Sequence, residues 1–190
     1  MKPFRLAIFA SGSGSNAVAI CHHFAGHQKI EVALILSNNE QAGVLQKASE
    51  LGVECITFSK KDFVEGGSVD TLLQEKKITH LILAGFLWLV PSFLIERFPN
   101  KIINIHPALL PKFGGKGMYG ARVHETVRNS GDKETGITIH LVNEHFDEGK
   151  PLLQVTCPIT ASDSVVDIAA KVQALEHTHY PKTIENWVLS

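Results

Sequence analysis

Residues 4–17 read FRLAIFASGSGSNA: an apolar run, a glycine–serine turn, and the start of a helical pattern. Phe4 to Ala10 is short, apolar and bounded by turn residues, which predicts a buried strand. A helix is predicted next, from Asn16 to Ala25. The alternation continues outward from this unit. Further strands are predicted at Glu31–Ser37, Val53–Phe58, Thr79–Ala84 and Lys101–His106, the last stopped by Pro107. Helices fall between them. Gln41–Leu51 places Val44, Ala48 and Leu51 at helical spacing and ends at Gly52; Val69–Lys76 follows a weak stretch around Gly66 and Gly67; Pro91–Phe98 has proline in its first position. This alternation predicts an α/β fold built on an open, mostly parallel twisted sheet.

After Pro107 the pattern changes. Leu109 to Gly120 (LLPKFGGKGMYG) holds four glycines and a proline, so it is predicted as a loop. A short helix is predicted at Arg122–Asn129. Strands at Gly136–Val142 and Leu152–Cys157, joined by Asn143–Pro151, extend the sheet in antiparallel fashion. Ser164 and Asp167 form a capping box at the start of a last helix, with Val165, Ile168, Ala169, Val172 and Leu175 as its core stripe. With no repeat, linker or low-complexity segment, one domain over residues 1–190 is expected.

Composition narrows the function classes. The chain is 44% apolar and 19% charged, as expected of a soluble core, and its net charge of −1 argues against broad nucleic-acid binding. Cys21, Cys55 and Cys157 are odd in number and widely spaced, so reduced, mostly buried thiols are expected rather than a disulfide framework or zinc site. The longest apolar run, Leu81–Val90, is too short to span a bilayer, and Met1-Lys2-Pro3-Phe4-Arg5 leads straight into a strand rather than a signal peptide. A cytoplasmic protein without membrane partners is expected.

Three motifs carry chemistry. Ser11-Gly12-Ser13-Gly14-Ser15-Asn16 lets the backbone turn tightly before a helix N-terminus, whose free N–H groups suit a phosphate. It lacks the Gly-Lys-Ser/Thr of a Walker A loop. It does satisfy Gly-x-Gly-x-x-Ala, but a dinucleotide site wants an acid ending the second strand, and here Ser37-Asn38-Asn39 stands there with Glu40 late. A single phosphate is the favoured ligand, with a purely structural turn as the alternative. Asn104 and His106 are two apart on a strand and share a face at its carboxyl end, where open α/β sheets bind ligands. Such a pair can donate to an oxyanion and transfer a proton; it can equally cap the strand end. Asp147, in Phe146-Asp147-Glu148-Gly149, is weak evidence alone, but a carboxylate brought to an imidazole orients it and favours its protonated form. Among the other histidines, His22, His23 and His27 are expected on an exposed helix face. His177-x-His179 lacks metal-pair spacing and reads as surface or pocket edge. His140 either faces the site or packs within its strand, and His145 has no assigned role.

Taken together, these motifs resemble the phosphoribosylglycinamide formyltransferase family. The likeness covers nearly the whole chain: Ser11–Asn16, Leu83-Ala84-Gly85-Phe86, Asn104-Ile105-His106-Pro107 with Ala108–Lys112, Gly136–Pro151 and Gln173–Tyr180. It implies a Rossmann-like formyltransferase fold and transfer of a formyl group from 10-formyltetrahydrofolate to the amine of glycinamide ribonucleotide, in purine synthesis. His106 would be the proton donor, working as an imidazolium held by Asp147, and Asn104 would polarise the formyl oxygen. Gly14, Ser15 and Asn16 would hold the substrate phosphate, with Pro107, Gln173 and Glu176 along the rest of the nucleotide. Leu87, Trp88, Leu89 and Val90, together with Asn104, Asn143, Glu144, His145 and Phe146, would line the folate pocket, largely through backbone groups. No metal is required, and the partners implied are the two small substrates, in a monomer or homodimer. Trp88 stands where the family often has arginine, an arginine before the fourth strand has no counterpart in Asp62–Ser68, and Phe113–Gly120 is longer and richer in glycine than usual. That loop is expected as a lid or a surface loop. Methionyl-tRNA formyltransferase and formyltetrahydrofolate deformylase share the Asn-His-Asp core. The lack of their extra domains in this sequence, its neutral charge and the GSGSN turn favour the nucleotide substrate. A non-catalytic binding module or a dinucleotide oxidoreductase are the readings from other classes.

Overall fold

The computed structural model describes residues 4–190; Met1–Pro3, on which part of the leader reading rests, lie outside the described residues. Chain order is β1 (Phe4–Phe9), α1 (Ser15–Phe24), β2 (Ile30–Ser37), α2 (Gly43–Glu50), β3 (Cys55–Thr57), α3 (Ser68–Glu75), β4 (His80–Leu83), α4 (Ser92–Arg97) and β5 (Ile102–His106). Then come α5 (Ala121–Ser130), β6 (Glu134–Leu141), β7 (Pro151–Pro158) and α6 (Val165–Leu189). The strands form one sheet in the order β3-β2-β1-β4-β5-β6-β7. The pairs from β3 to β5 are parallel, and β5–β6 and β6–β7 are antiparallel, as the sequence predicts.

The near-continuous apolar run of β1 has a simple cause: both faces of the sheet are covered. Leu6, Ile8 and Ala10 face a cluster built with Ile20 and Phe24 of α1, Val44 of α2, Val127 of α5 and Ile168 and Val172 of α6. Ala7 and Phe9, pointing the other way, pack with Val69 and Leu73 of α3, Leu94 of α4, Phe58 and Phe63. Outside this double cover, β7 alternates between exposed and half-buried residues, as an edge strand should.

Element ends differ from expectation by at most two residues. Pro91 is one correction: its extended backbone (φ −63°, ψ 148°) makes it the residue before α4 rather than the first helical one. The capping box is present, with the Ser164 side chain accepting from the Asp167 N–H and the Asp167 carboxylate from Ser164. Of the expected stripe, Ile168 and Val172 are buried and Leu175 packs partly buried against the core. Further along α6, the fully buried Tyr180 hydroxyl lies 2.8 Å from the Leu83 carbonyl and 3.2 Å from that of Ile103. This ties the long helix to the carboxyl end of β4 and to neighbouring β5, and so fixes what it presents one turn earlier.

Candidate active site

The strand order reverses between β1 and β4, because α1 carries the chain to one side and α3 to the other. In a doubly wound sheet the loops diverge there and leave a crevice at the strand carboxyl ends. A cleft of about 570 Å³ opens at this place, lined by Gly12–Asn16, Leu83–Val90, Asn104–Pro107, Gly115–Gly120, and residues of the β6–β7 turn and α6.

The first wall is the GSGSN turn. Ser11 is buried and anchors it: its Oγ donates to Asn38 Oδ1 (2.6 Å) and accepts from Leu87 N–H, and its carbonyl accepts from Asn39 Nδ2. Asn38 and Asn39 therefore hold the loop, in the place where a dinucleotide site wants a ribose-binding acid. Gly14 adopts φ 75°, and no side chain caps α1 behind it, so the first N–H groups of that helix face the cleft. A Cβ on Gly14 would stand 2.6 Å from the Val44 side chain. The glycine is needed for packing against α2 as well as for its backbone conformation.

From α6, Gln173 donates to Ser15 Oγ (3.2 Å), and Glu176 Oε2 accepts from Asn16 Nδ2 (3.1 Å). Five of the six residues assigned to the nucleotide are thus brought to one place, with Pro107, just after β5, also on the cleft wall. Burial pushes the Glu176 carboxyl up to about 7, opposed by the Asn16 hydrogen bond. Asn16 Oδ1 is buried without a partner.

The second group forms at the end of β5. The antiparallel register sets Asn104 opposite His140 of β6, and Asn104 Nδ2 lies 3.1 Å from His140 Nε2 and 3.5 Å from Asp147 Oδ1. His140 Nδ1 faces the Leu141 carbonyl at 2.8 Å. A carbonyl only accepts, so Nδ1 carries a proton, while Nε2 lies against the asparagine amide and, at 3.7 Å, Asp147 Oδ1. This answers the open reading of His140: it faces the site and orients Asn104. The alternation of β6 would have flagged it, had the register with β5 been known.

His106 is 3% exposed and held from both sides. Its Nε2 lies 2.8 Å from the Phe113 carbonyl and must carry a proton; its Nδ1 lies 3.4 Å from Asp147 Oδ2. Asp147 itself sits at φ 59°, a left-handed conformation that aspartate tolerates better than most residues. It also accepts from the Gly115 N–H at 3.0 Å.

Burial lowers the His106 pKa below the ordinary histidine value, outweighing Asp147 and the Phe113 carbonyl, which both raise it. The carboxylate expected to hold an imidazolium is present, and desolvation acts against it on the same ring. Burial acts on Asp147 in the opposite sense, raising it. The His140 ring, His106 and the Gly115 N–H together outweigh that, and Asp147 stays below the usual carboxylate range. The resting pair is therefore a neutral ring beside a carboxylate, with room for one proton between Nδ1 and Oδ2.

The third wall is apolar. Leu87, Trp88, Leu89, Val90, Asn143, His145 and Phe146 line the cleft, as expected of a flat ring's pocket. Glu144 does not: it is exposed and outside the cleft lining. His145 uses its backbone N–H to close a turn on Asn143 Oδ1. Trp88 stacks edge-on to Phe58 (5.8 Å between centroids), and Lys60 Nζ lies 5.6 Å over the Trp88 ring. A cation is thus present beside position 88 without an arginine.

The Gly-rich loop forms the fourth wall through Gly115–Gly120, and its backbone holds both His106 and Asp147. Sequence reasoning missed that role, because a main-chain carbonyl and N–H leave no signature in residue type. It also missed His124, at 7% exposure, on the same wall.

Of the remaining histidines, His22 is exposed as expected. His23 and His27 are half-buried and both meet Glu185 of α6, at 2.6 and 3.4 Å, because α6 packs along α1. All three cysteines are free; Cys21 is buried, while Cys55 and Cys157 are half-buried. Among the described residues, no cluster of three or more His, Cys, Asp or Glu could hold a metal ion. No helix among them is long and apolar enough to cross a membrane.

Fold and cleft are those of a doubly wound α/β protein with its ligand site at the strand-order reversal. Comparison with known proteins makes this particular. Residues 4–184 match the formyl transferase family. A chloroplastic phosphoribosylglycinamide formyltransferase of Vigna unguiculata is 42% identical over 95% of this chain and 60% of its own length. That of Haemophilus influenzae is 32% identical over 95% of this chain and 85% of its own. The crystal structure of the Brucella melitensis phosphoribosylglycinamide formyltransferase superposes with a TM-score of 0.87 at 32% identity, covering 100% of this chain and 97% of that one. The chain belongs to the formyl transferase family, in its phosphoribosylglycinamide formyltransferase branch.

Proposed function

We propose that this protein transfers a formyl group from 10-formyltetrahydrofolate to the primary amine of glycinamide ribonucleotide, a step in making purine nucleotides. One observation carries the reading: Asn104 and His106 each lie within 3.5 Å of Asp147, between a helix N-terminus suited to phosphate and an apolar wall suited to a flat ring. The phosphate sits at Gly14–Asn16, and Gln173 and Glu176 reach the sugar. The pterin lies along Leu87–Val90 and Asn143–Phe146.

Attack of the neutral amine on the formyl carbon gives an oxyanion and an ammonium in one intermediate. The Asn104 N–H donates to the oxyanion, a contribution of about 3 kcal/mol for a well-aimed donor. The His106–Asp147 pair takes the ammonium proton into the gap between Nδ1 and Oδ2. It returns that proton to the folate nitrogen as the carbon–nitrogen bond breaks. Formyl and proton thus change places, with no oxidant or reductant.

Purified protein given both substrates should show the absorbance change of folate deformylation in step with formylated nucleotide. A folded protein that binds neither substrate and gives no turnover would remove the reading.

A further inference from the structure

His124 stands in the first turn of α5, beside Val123, which packs into the core with Val127. Its ring lines the same cleft as His106, yet its Nδ1 is buried with no hydrogen-bond partner. Among the described residues three buried side-chain atoms share this condition, and two of them, Asn16 Oδ1 and His124 Nδ1, belong to cleft residues. A buried polar atom left unpaired is costly, so a persistent orphan in a ligand site calls for an incoming partner. A histidine kept only for shape behaves differently. Buried His80, at the amino end of β4 and away from the cleft, pairs its Nδ1 with Thr79 Oγ1 at 3.0 Å.

We infer that His124 binds the nucleotide substrate, its ring hydrogen-bonding the uncharged middle of that molecule, a ribose hydroxyl or the glycinamide amide. The inference rests on the function proposed above. The phosphate has its own place at the uncapped start of α1. Burial and the nearby His106 hold His124 below the ordinary histidine pKa. A neutral ring offers one donor and one acceptor, which matches hydroxyls and amides rather than a dianion. Asn16 Oδ1, the other orphan, finds its partner on the same ligand from the α1 side.

His124→Leu keeps the volume and removes both nitrogens. It should raise KM for glycinamide ribonucleotide about tenfold and leave KM for the folate unchanged, with kcat little altered. His124→Asn, which returns an amide close to the position of Nδ1, should recover most of that loss. Competition by ribose 5-phosphate separates the two partners: weakened competition in His124→Leu assigns the sugar, and unchanged competition the glycinamide. Independently of any variant's folding, the ¹⁵N resonance of His124 Nδ1 in the wild-type protein should move on adding nucleotide and not on adding a non-reactive folate analogue. An unmoved resonance at saturating nucleotide, or a wild-type nucleotide KM in folded His124→Leu, overturns the inference while leaving the formyl transfer standing. A wild-type protein that neither binds nor formylates the nucleotide overturns both.

Discussion

Replacing Glu176 by glutamine should make the protein more stable, and more so as pH rises. The carboxyl faces Asn16 on the floor of the cleft, and burial raises its pKa from 4.5 to about 7. A folded-state pKa above the unfolded one means that the stability tied to the protonated form is full below about 4.5. It is lost as pH rises through about 7. At 1.36 kcal/mol per unit, the ionised carboxylate costs about 3 kcal/mol at pH 8 and less than about 1 kcal/mol at pH 5. Glutamine has no proton to lose and still offers Asn16 an acceptor. Urea unfolding at the two pH values, followed by the fluorescence of Trp88 and Trp187, should show Glu176→Gln ahead by amounts near these. In a thermal melt at pH 8 the gain corresponds to roughly 6–12 °C for a chain of this size. A stability difference that is the same at pH 5 and pH 8 would falsify the account, because it would have nothing to do with ionisation.

Three further outcomes follow from named contacts. Asp147→Asn removes the charge that raises His106 against burial, so the His106 pKa falls further. Turnover should drop on the order of 10²-fold or more, with the acidic limb of the pH–rate profile, where protonation removes the neutral His106 ring, moved to lower pH. An unchanged profile in a folded variant sinks the coupling, and the double variant with His106→Ala should be little worse than the worse single one. Gly14→Val combines φ 75° with a Cβ 2.6 Å from Val44, so it should cost about 2 kcal/mol or more and weaken both ligands together. Selective loss of nucleotide affinity in a variant that melts like wild type would contradict this. Tyr180→Phe leaves the Leu83 and Ile103 carbonyls without their buried donor and should lower unfolding free energy by about 1–3 kcal/mol, read from urea curves. No change there means that the hydroxyl does not pin α6.

What was legible in the sequence is what local pattern encodes. Seven strands and six helices were placed within a few residues, because β1 and β2 are apolar runs between turn residues and α6 carries its own cap. Asn104 and His106 were legible as a pair because period two on a strand needs no tertiary knowledge. Asp147, Gln173 and Glu176 were reached through the family likeness, since they lie 43, 69 and 72 positions beyond Asn104. What escaped depends on register and on main chain. His140 meets Asn104 through a strand pairing that composition does not reveal, and the Phe113 carbonyl and Gly115 N–H have no residue signature. Gly14 was read for phosphate approach, whereas its tight contact is with Val44 on another helix. Glu144 was assigned with its neighbours through backbone groups; its side chain is exposed and outside the cleft lining.

The protonation of His106 sets two effects against each other. Motif reasoning pairs an imidazole with a carboxylate and concludes that the ring is charged. That comparison leaves out the protein around the ring, and with His106 at 3% exposure the loss of water is the larger effect. The same force acts across the cleft. It lowers His124 and raises Glu176, so burial drives each toward its uncharged form. Asp147 alone is held toward its charged form, by the Gly115 N–H and two rings. A cleft of this kind suits a reaction that begins with a neutral amine and creates both charges in its middle. A resting imidazolium would demand a low pH at which an amine, with a pKa of about 8, is protonated and cannot attack. A neutral ring beside a carboxylate sets no such conflict: the proton arrives with the chemistry, from the nitrogen that has just attacked, and finds the one vacancy between Nδ1 and Oδ2.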